Sequence, residues 1–239
     1  MQNVRVQSTI EFVSIAPMVV KMGSVAAPVF VLQRPEDRSF DSIYPADVRA
    51  LSSRFWTPVA VARRAAVLFR EAGARRVLDV GAGVGKFALV AAATAPELHI
   101  VGIEHRKRLV EVARRARSLL RIANARFRVG DVTLAGWRSF DAFYFFNPFG
   151  ENVFLGPERI DNRVELTESR FARDSTRVDR SLRSASVGTV VIAYHGTSGE
   201  IPPCYDLSHS ERAGTDWLRV WVKRRVSNGD SLDAVVPRH

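Results

Sequence analysis

Val77-Leu-Asp-Val-Gly-Ala-Gly-Val-Gly-Lys-Phe87 (VLDVGAGVGKF) is the stretch on which the fold turns. A short apolar strand runs directly into Gly81, Gly83 and Gly85, with only Ala82 and Val84 between them. Glycines at alternate positions let the backbone turn sharply and approach a ligand closely where a helix starts. Two phosphate-binding patterns can be tested by spacing. The dinucleotide fingerprint G-x-G-x-x-G asks for glycine at the place of Lys86. A P-loop asks for glycine at the place of Val80, and for Ser or Thr at that of Phe87. Neither pattern fits.

Outward from this loop the chain alternates regularly. Strands are expected over 75–82, 98–105, 125–132, 141–148 and 188–196, with helices over 85–95, 106–121 and 165–184 between them. Upstream, TPVAVARRAAVLFREAG (57–73) reads as a helix with Thr57 as N-cap and Pro58 in its first turn, closed by Gly73. Such alternation predicts an α/β fold, doubly wound around a mostly parallel seven-stranded sheet. CYDLSHSER and DWLRVWVKRR, with Ala213-Gly214 between them, predict a C-terminal antiparallel hairpin closing one sheet edge. Residues 1–54 are read as an N-terminal extension able to serve as a lid, poorly ordered up to about Ser24, and 55–239 as the main domain.

The acids fall into an ordered set. Asp79, Glu104 and Asp131 each stand at the carboxyl end of one of three successive predicted strands, the edge at which open α/β sheets bind ligands. D-x-G-x-G-x-G at the end of a first strand resembles the first motif of the seven-strand, Rossmann-like methyltransferases of class I, which use S-adenosylmethionine. The resemblance covers roughly residues 55–225. It implies that the loop Gly81, Ala82, Gly83 and Gly85 cradles the methionine part of the cofactor and that Asp79 meets its amino group. It further implies that Glu104 accepts from both ribose hydroxyls, with His105 flanking the adenosine, and that Asp131 and Val132 meet the adenine. Thr57, before the first helix, matches a residue that approaches the cofactor carboxylate in many members.

The fourth strand, FYFF, exits through Asn147-Pro148-Phe149-Gly150. This resembles the Asn/Asp-Pro-Pro-aromatic motif of methyltransferases acting on adenine, cytosine or glutamine nitrogen, without the second proline, and the Asn-Asn-Phe of seven-strand lysine methyltransferases. Both comparisons imply nitrogen as methyl acceptor, with Asn147, Pro148 and Phe149 positioning it and Asn147 also touching the cofactor. Glu151 is near enough in sequence to be considered as a base. His195, in the loop after the fifth strand, is the other candidate for removing a proton. Tyr44 and Trp56 either cover the pocket as a lid or close the edge of the core. An aminopropyltransferase, which shares the fold, would need a carboxylate where Asn147 stands.

Composition sets the remaining bounds. At 239 residues, 46% hydrophobic and 25% charged, the chain suits one sizeable globular domain. No apolar run reaches the ~18 residues of a membrane span, and the protein is expected to be cytoplasmic. The single cysteine, Cys204, excludes an internal disulfide and a multi-cysteine metal site, and the histidines show no zinc spacing. A net charge of +10 suits an anionic partner, although the arginines mostly lie beside acids on helical surfaces. The acceptor therefore stays open among a small molecule, a protein side chain and a nucleic acid. The alternative to an enzyme is a non-catalytic Rossmann-like module that binds RNA or protein through its arginines.

Overall fold

The computed structural model describes residues 35–153, 159–161 and 163–226. The expectation of disorder up to about Ser24 lies outside them. Three short helices, α1 (Pro35–Asp41), α2 (Ala46–Arg49) and α3 (Ser52–Phe55), precede α4 (Val59–Glu71). The alternating part follows as β1 (Arg76–Val80), α5 (Lys86–Thr94), β2 (His99–Glu104), α6 (Lys107–Leu119), β3 (Ala125–Val129), β4 (Ala142–Phe145), α7 (Glu168–Ser184) and β5 (Val190–Tyr194). The hairpin β6 (Tyr205–Ala213) and β7 (Asp216–Lys223) ends it. The sheet order is β3-β2-β1-β4-β5-β7-β6, with β1 to β5 parallel and β7 antiparallel to both its neighbours. The seven-stranded, mostly parallel sheet and its closing hairpin are thus as the sequence predicts.

Period-two alternation sends neighbouring strand residues to opposite faces, and each face has its own core. Val77, Ile100, Tyr144, Ile192 and Leu218 pack with α4, α5 and α6. Leu78, Phe143, Phe145 and Val191 pack with Val178 and Leu182 of α7 and with Trp137. A helix that covers a sheet on one side needs only one apolar stripe, which α4, α6 and α7 have. By contrast α5 is buried from Lys86 to Ala92 and is apolar nearly all round. The end of α7 is closed from a distance. Lys223 is 1% exposed, and its ammonium donates to the carbonyls of Leu182 and Ala185 at 3.3 and 2.7 Å, adding a cation to the acceptors at the helix end.

The start of α4 differs from expectation. The helix begins at Val59, and the Val59 amide donates to Oδ1 of Asp37 at 2.8 Å, so the cap comes from α1. The Thr57 hydroxyl instead lies 3.0 Å from the Tyr144 hydroxyl, inside the core. A local N-cap and a remote one satisfy the same orphan amides, and sequence spacing reveals only the first.

The direction in which strands are added reverses between β1 and β4: β2 and β3 lie to one side of β1, β4 and β5 to the other. A crevice opens at this switch point, outside the carboxyl ends of the strands. No helix among the described residues is long and apolar enough to cross a membrane.

Candidate active site

A cavity of about 530 Å³ occupies this crevice. The loop after β1 forms one wall, with Gly81 and Gly83 at φ +76° and +54°. A Cβ on Gly81 would stand 3.1 Å from the Pro148 side chain, and one on Gly83 would run into the Trp56 ring. At both positions the close approach and the left-handed backbone ask for glycine. Gly85 stands at the start of α5 against Phe127, one layer below the cavity, and Ala82 is buried and absent from the lining.

Asp79 is also beneath the surface. It is 4% exposed, its Oδ2 has no hydrogen-bond partner, and burial together with the nearby Glu104 pushes its pKa up to about 8. A buried carboxyl with an unpartnered oxygen at the root of a glycine loop suits a ligand that brings a positive charge. Glu104 lines the cavity at the end of β2. Its Oε2 accepts from the Gly83 amide at 3.1 Å and its Oε1 from the Arg106 amide at 2.9 Å, while burial raises its pKa. The acid therefore orders the glycine loop as well as facing the cleft.

His105 lies between two guanidinium groups, with Nε2 3.0 Å from Arg106 and Nδ1 3.3 Å from Arg170. Burial and these two cations bring its pKa down to about 4, so the ring is neutral at pH 7. Asp131 and Val132 line the far end. Burial disfavours the Asp131 carboxylate, but hydrogen bonds from the Thr133 hydroxyl and amide, at 2.7 and 2.9 Å, together with Arg170 and Arg177, hold its pKa below the usual value. The two acids thus differ, Asp79 beneath the cleft being held toward the protonated form and Asp131 on its wall toward the ionised one.

At the exit of β4, Asn147-Pro148-Phe149-Gly150 makes a tight turn, the Gly150 amide donating to the Asn147 carbonyl at 3.1 Å. Asn147 has φ +40°, a conformation asparagine tolerates better than most residues. Its carboxamide oxygen accepts from the Ser198 hydroxyl at 3.2 Å, and the same hydroxyl accepts from the Phe149 amide at 3.2 Å. The turn is so stitched to the loop after β5. Asn147, Pro148 and Phe149 all line the cavity, although Phe149 is only 8% exposed. Trp56 is similarly a buried wall, whereas Tyr44 lies outside the lining, its hydroxyl donating to the Val84 carbonyl at 3.3 Å. Thr57 does not reach the cavity.

His195 lines the opposite side. Its Nδ1 is 2.8 Å from the Asp216 carboxylate, which leaves Nε2 without a partner in the pair. Burial lowers its pKa, and Asp216 works against that shift. Like Asn147 and Ser198, His195 has a positive φ, here +59°. Two such non-glycine residues on the cavity wall, with Ser198 bonded to one of them behind it, mark a backbone held in place by its surroundings.

Several partners lie beyond the reach of sequence reading. Glu151 is held by Arg106 in a bidentate pair at 2.9 and 3.1 Å and also accepts from the Ile160 amide, so it is a strut and not a free base. Asp216 and Ser198 sit far along the chain from the residues they orient. Only their places, Ser198 in the loop after β5 and Asp216 at the start of β7, could have drawn attention to them.

This geometry defines the class, and the comparisons agree with it. A family model described as a methyltransferase domain matches residues 72–180. No curated protein matches the sequence. Among solved structures, TrmN from Thermus thermophilus aligns at a TM-score of 0.55, with 22% identity over 81% of this chain and 55% of its own. A methyltransferase from Geobacter sulfurreducens aligns at 0.53, with 18% identity over 81% and 93%. An RNA methyltransferase from Salinibacter ruber, in complex with S-adenosyl-L-homocysteine, aligns at 0.50, with 19% identity over 77% and 97%. At these identities the likeness to each structure is one of fold. Residues 72–180 thus match a methyltransferase domain, and the fold is that of the class I S-adenosylmethionine-dependent methyltransferases. Its cofactor is S-adenosylmethionine, and the enzyme transfers a methyl group.

Proposed function

We propose that the enzyme methylates a nitrogen atom and that His195 removes the proton this acceptor must lose. The observation that carries the reading is the His195–Asp216 pair at 2.8 Å on the wall of the cavity. A carboxylate on Nδ1 fixes the tautomer with the proton on that nitrogen and leaves Nε2 as a base. The lowered pKa keeps the ring neutral, and so able to accept, at physiological pH.

Asp79, the glycine loop, Glu104 and Asp131 would hold the cofactor, whose bound sulfonium supplies an electrophilic methyl group. The Pro148 carbonyl, beside the glycine loop, would accept a hydrogen bond from the acceptor N–H. The acceptor nitrogen would take that methyl group with its lone pair, and the proton it gives up would pass to Nε2 of His195. Asn147, engaged by Ser198, sets the turn that presents that carbonyl. Much of the rate would come from such placement, since the electrophile is already activated.

Transfer of a labelled methyl group from S-adenosylmethionine to cell extract tests the reading. We expect label in a product stable to mild base, as an N-methyl group is, and its loss in His195→Gln with cofactor binding retained. Base-labile label would indicate a carboxyl ester and overturn the assignment to nitrogen.

A further inference from the structure

Arginine-on-aromatic pairs border the cavity on two sides. On α3, the Arg54 guanidinium lies 5.3 Å from the centre of the Phe55 ring, and both residues line the cavity. On the hairpin, Trp217 has Arg212 at 5.5 Å and Arg219 at 5.7 Å from its ring. The two features flank the catalytic wall directly. Thr215 lines the cavity, Asp216 holds His195, and Trp217 is the next residue.

The hairpin side continues as a stripe. Arg212 stands opposite Trp217 in the ladder, Ser210 opposite Arg219, and Leu207 opposite the half-buried Trp221, so these side chains share one face. The other face of β7 supplies the core, with Leu218 and Val220 buried. Trp217 remains 37% exposed and Leu207 54%. Among the described residues neither Arg212 nor Arg219 has a carboxylate partner, whereas Arg64, Arg106, Arg170 and Arg177 all do. An exposed indole between unpaired guanidinium groups is built for a ligand that is both aromatic and anionic. Nucleotides of a single strand combine the two, with bases that stack on aromatic or guanidinium planes and phosphates that pair with arginine.

We propose that this stripe binds single-stranded RNA and presents a neighbouring base to His195. The proposal rests on the methyl-transfer reading above, and makes a nucleobase nitrogen the acceptor. The excess of basic residues, +10 over the whole chain, favours the same polyanion at longer range. Unlike a duplex, a single strand already exposes its bases, so one can enter the cavity without first being flipped from a stack.

Fluorescence anisotropy with a labelled oligouridylate of about 20 nucleotides, longer than the usual single-strand sites, tests this. Full-length protein is expected to bind it, more weakly as salt rises. Trp217→Ala should weaken binding about tenfold, the loss of one stacked base. Arg212→Ala and Arg219→Ala should each reduce the slope of log K against log salt by about 0.7. Arg212→Glu keeps the indole, and so tests the partner without removing the hairpin's aromatic. Calorimetry with S-adenosylhomocysteine on the same variants should give wild-type affinity. Cofactor binding without oligonucleotide binding at low salt overturns the RNA proposal and leaves methyl transfer standing. Variants that lower the melting temperature but bind the oligonucleotide as before reduce the stripe to hairpin stabilisation and also overturn it. Label recovered in protein or small molecules, and not in RNA, does the same.

Discussion

The indole of Trp56 rests on the α-carbon of Gly83, so closely that a Cβ built there would lie 2.9 Å from Cε3. The Trp56 ring nitrogen donates to the Val48 carbonyl at 3.3 Å, while the Gly83 amide donates to Glu104. The short N-terminal helices, the glycine loop and the β2 acid are therefore one assembly.

Gly83→Ala must move the ring or the loop. It is expected to destabilise the fold by about 1–3 kcal/mol, as overpacking does, and to weaken S-adenosylhomocysteine binding. Urea unfolding and calorimetry measure the two effects. The double variant Gly83→Ala, Trp56→Ala removes the clash but not the cost of φ +54°, so it should recover part of the affinity only. Full recovery would show that backbone conformation does not matter at this position.

A second tie joins the N-terminal helices to the site. Lys86, at the first position of α5, is 2% exposed, and its ammonium lies 2.8 Å from Oδ1 of both Asp37 and Asp41 and 3.1 Å from the Ser52 hydroxyl. Lys86→Met leaves two buried carboxylates uncompensated and should cost about 3–5 kcal/mol in urea unfolding. Adding Asp41→Leu removes one of them and leaves Asp37 to cap α4, so the pair of substitutions should recover a large part of that loss. If Lys86→Met proves neutral, the ion cluster contributes nothing net to stability.

How much of this was legible depended on the range of each interaction. The strands themselves and the placing of Glu104 and Asp131 at their ends follow from local periodicity, which adjacent residues determine. The exit of β4 was readable as a turn because Asn-Pro-Phe-Gly carries its own chemistry. Asp37 as the cap of α4, Lys86 as a buried ion and Asp216 behind His195 were not readable, since each joins residues from separate elements. Thr57 illustrates the limit: its residue type and spacing say N-cap, yet the Tyr144 hydroxyl 3.0 Å away engages it in the core. Asn147 is intermediate, placed at the predicted edge but with its amide oxygen held by Ser198, some fifty residues downstream.

Asp79 links the glycine loop to pH. Its carboxyl titrates near 4 in an unfolded chain and near 8 in the fold, because of burial and of Glu104. Between those values the folded protein holds a proton that the unfolded chain has lost. The contribution of this group to stability accordingly falls as pH rises from about 4 to about 8, then levels off. Asp79→Asn abolishes this slope and should raise the melting temperature of the ligand-free protein at pH 8, by about 2–4 °C for each kcal/mol gained. The same substitution should weaken S-adenosylhomocysteine binding by about tenfold or more, the value of a charge-assisted hydrogen bond to the proposed amino group. Melting curves across pH, with and without the ligand, separate the two effects. A variant that is less stable without ligand would contradict the raised pKa.

His195 carries the sharpest dependence on pH. Its ordinary value of 6.5 is lowered by burial and partly restored by Asp216, so the ring becomes neutral below that pH. kcat/KM for methyl transfer should therefore rise with pH, inflect below 6.5 and remain level through neutrality. His195→Gln should remove the inflection and reduce the plateau by about 10²–10⁴-fold, the range of general-base catalysis. Asp216→Asn takes away the group that opposes the burial effect and also the one that orients the ring. The inflection should then move to lower pH while the plateau falls, the reverse of what added base strength would produce. Both variants should bind S-adenosylhomocysteine as the wild type does, since neither residue touches the glycine loop or the acids. An inflection that survives in His195→Gln would assign the proton to another group, and His195 would then be an edge histidine held by Asp216 for structural reasons alone.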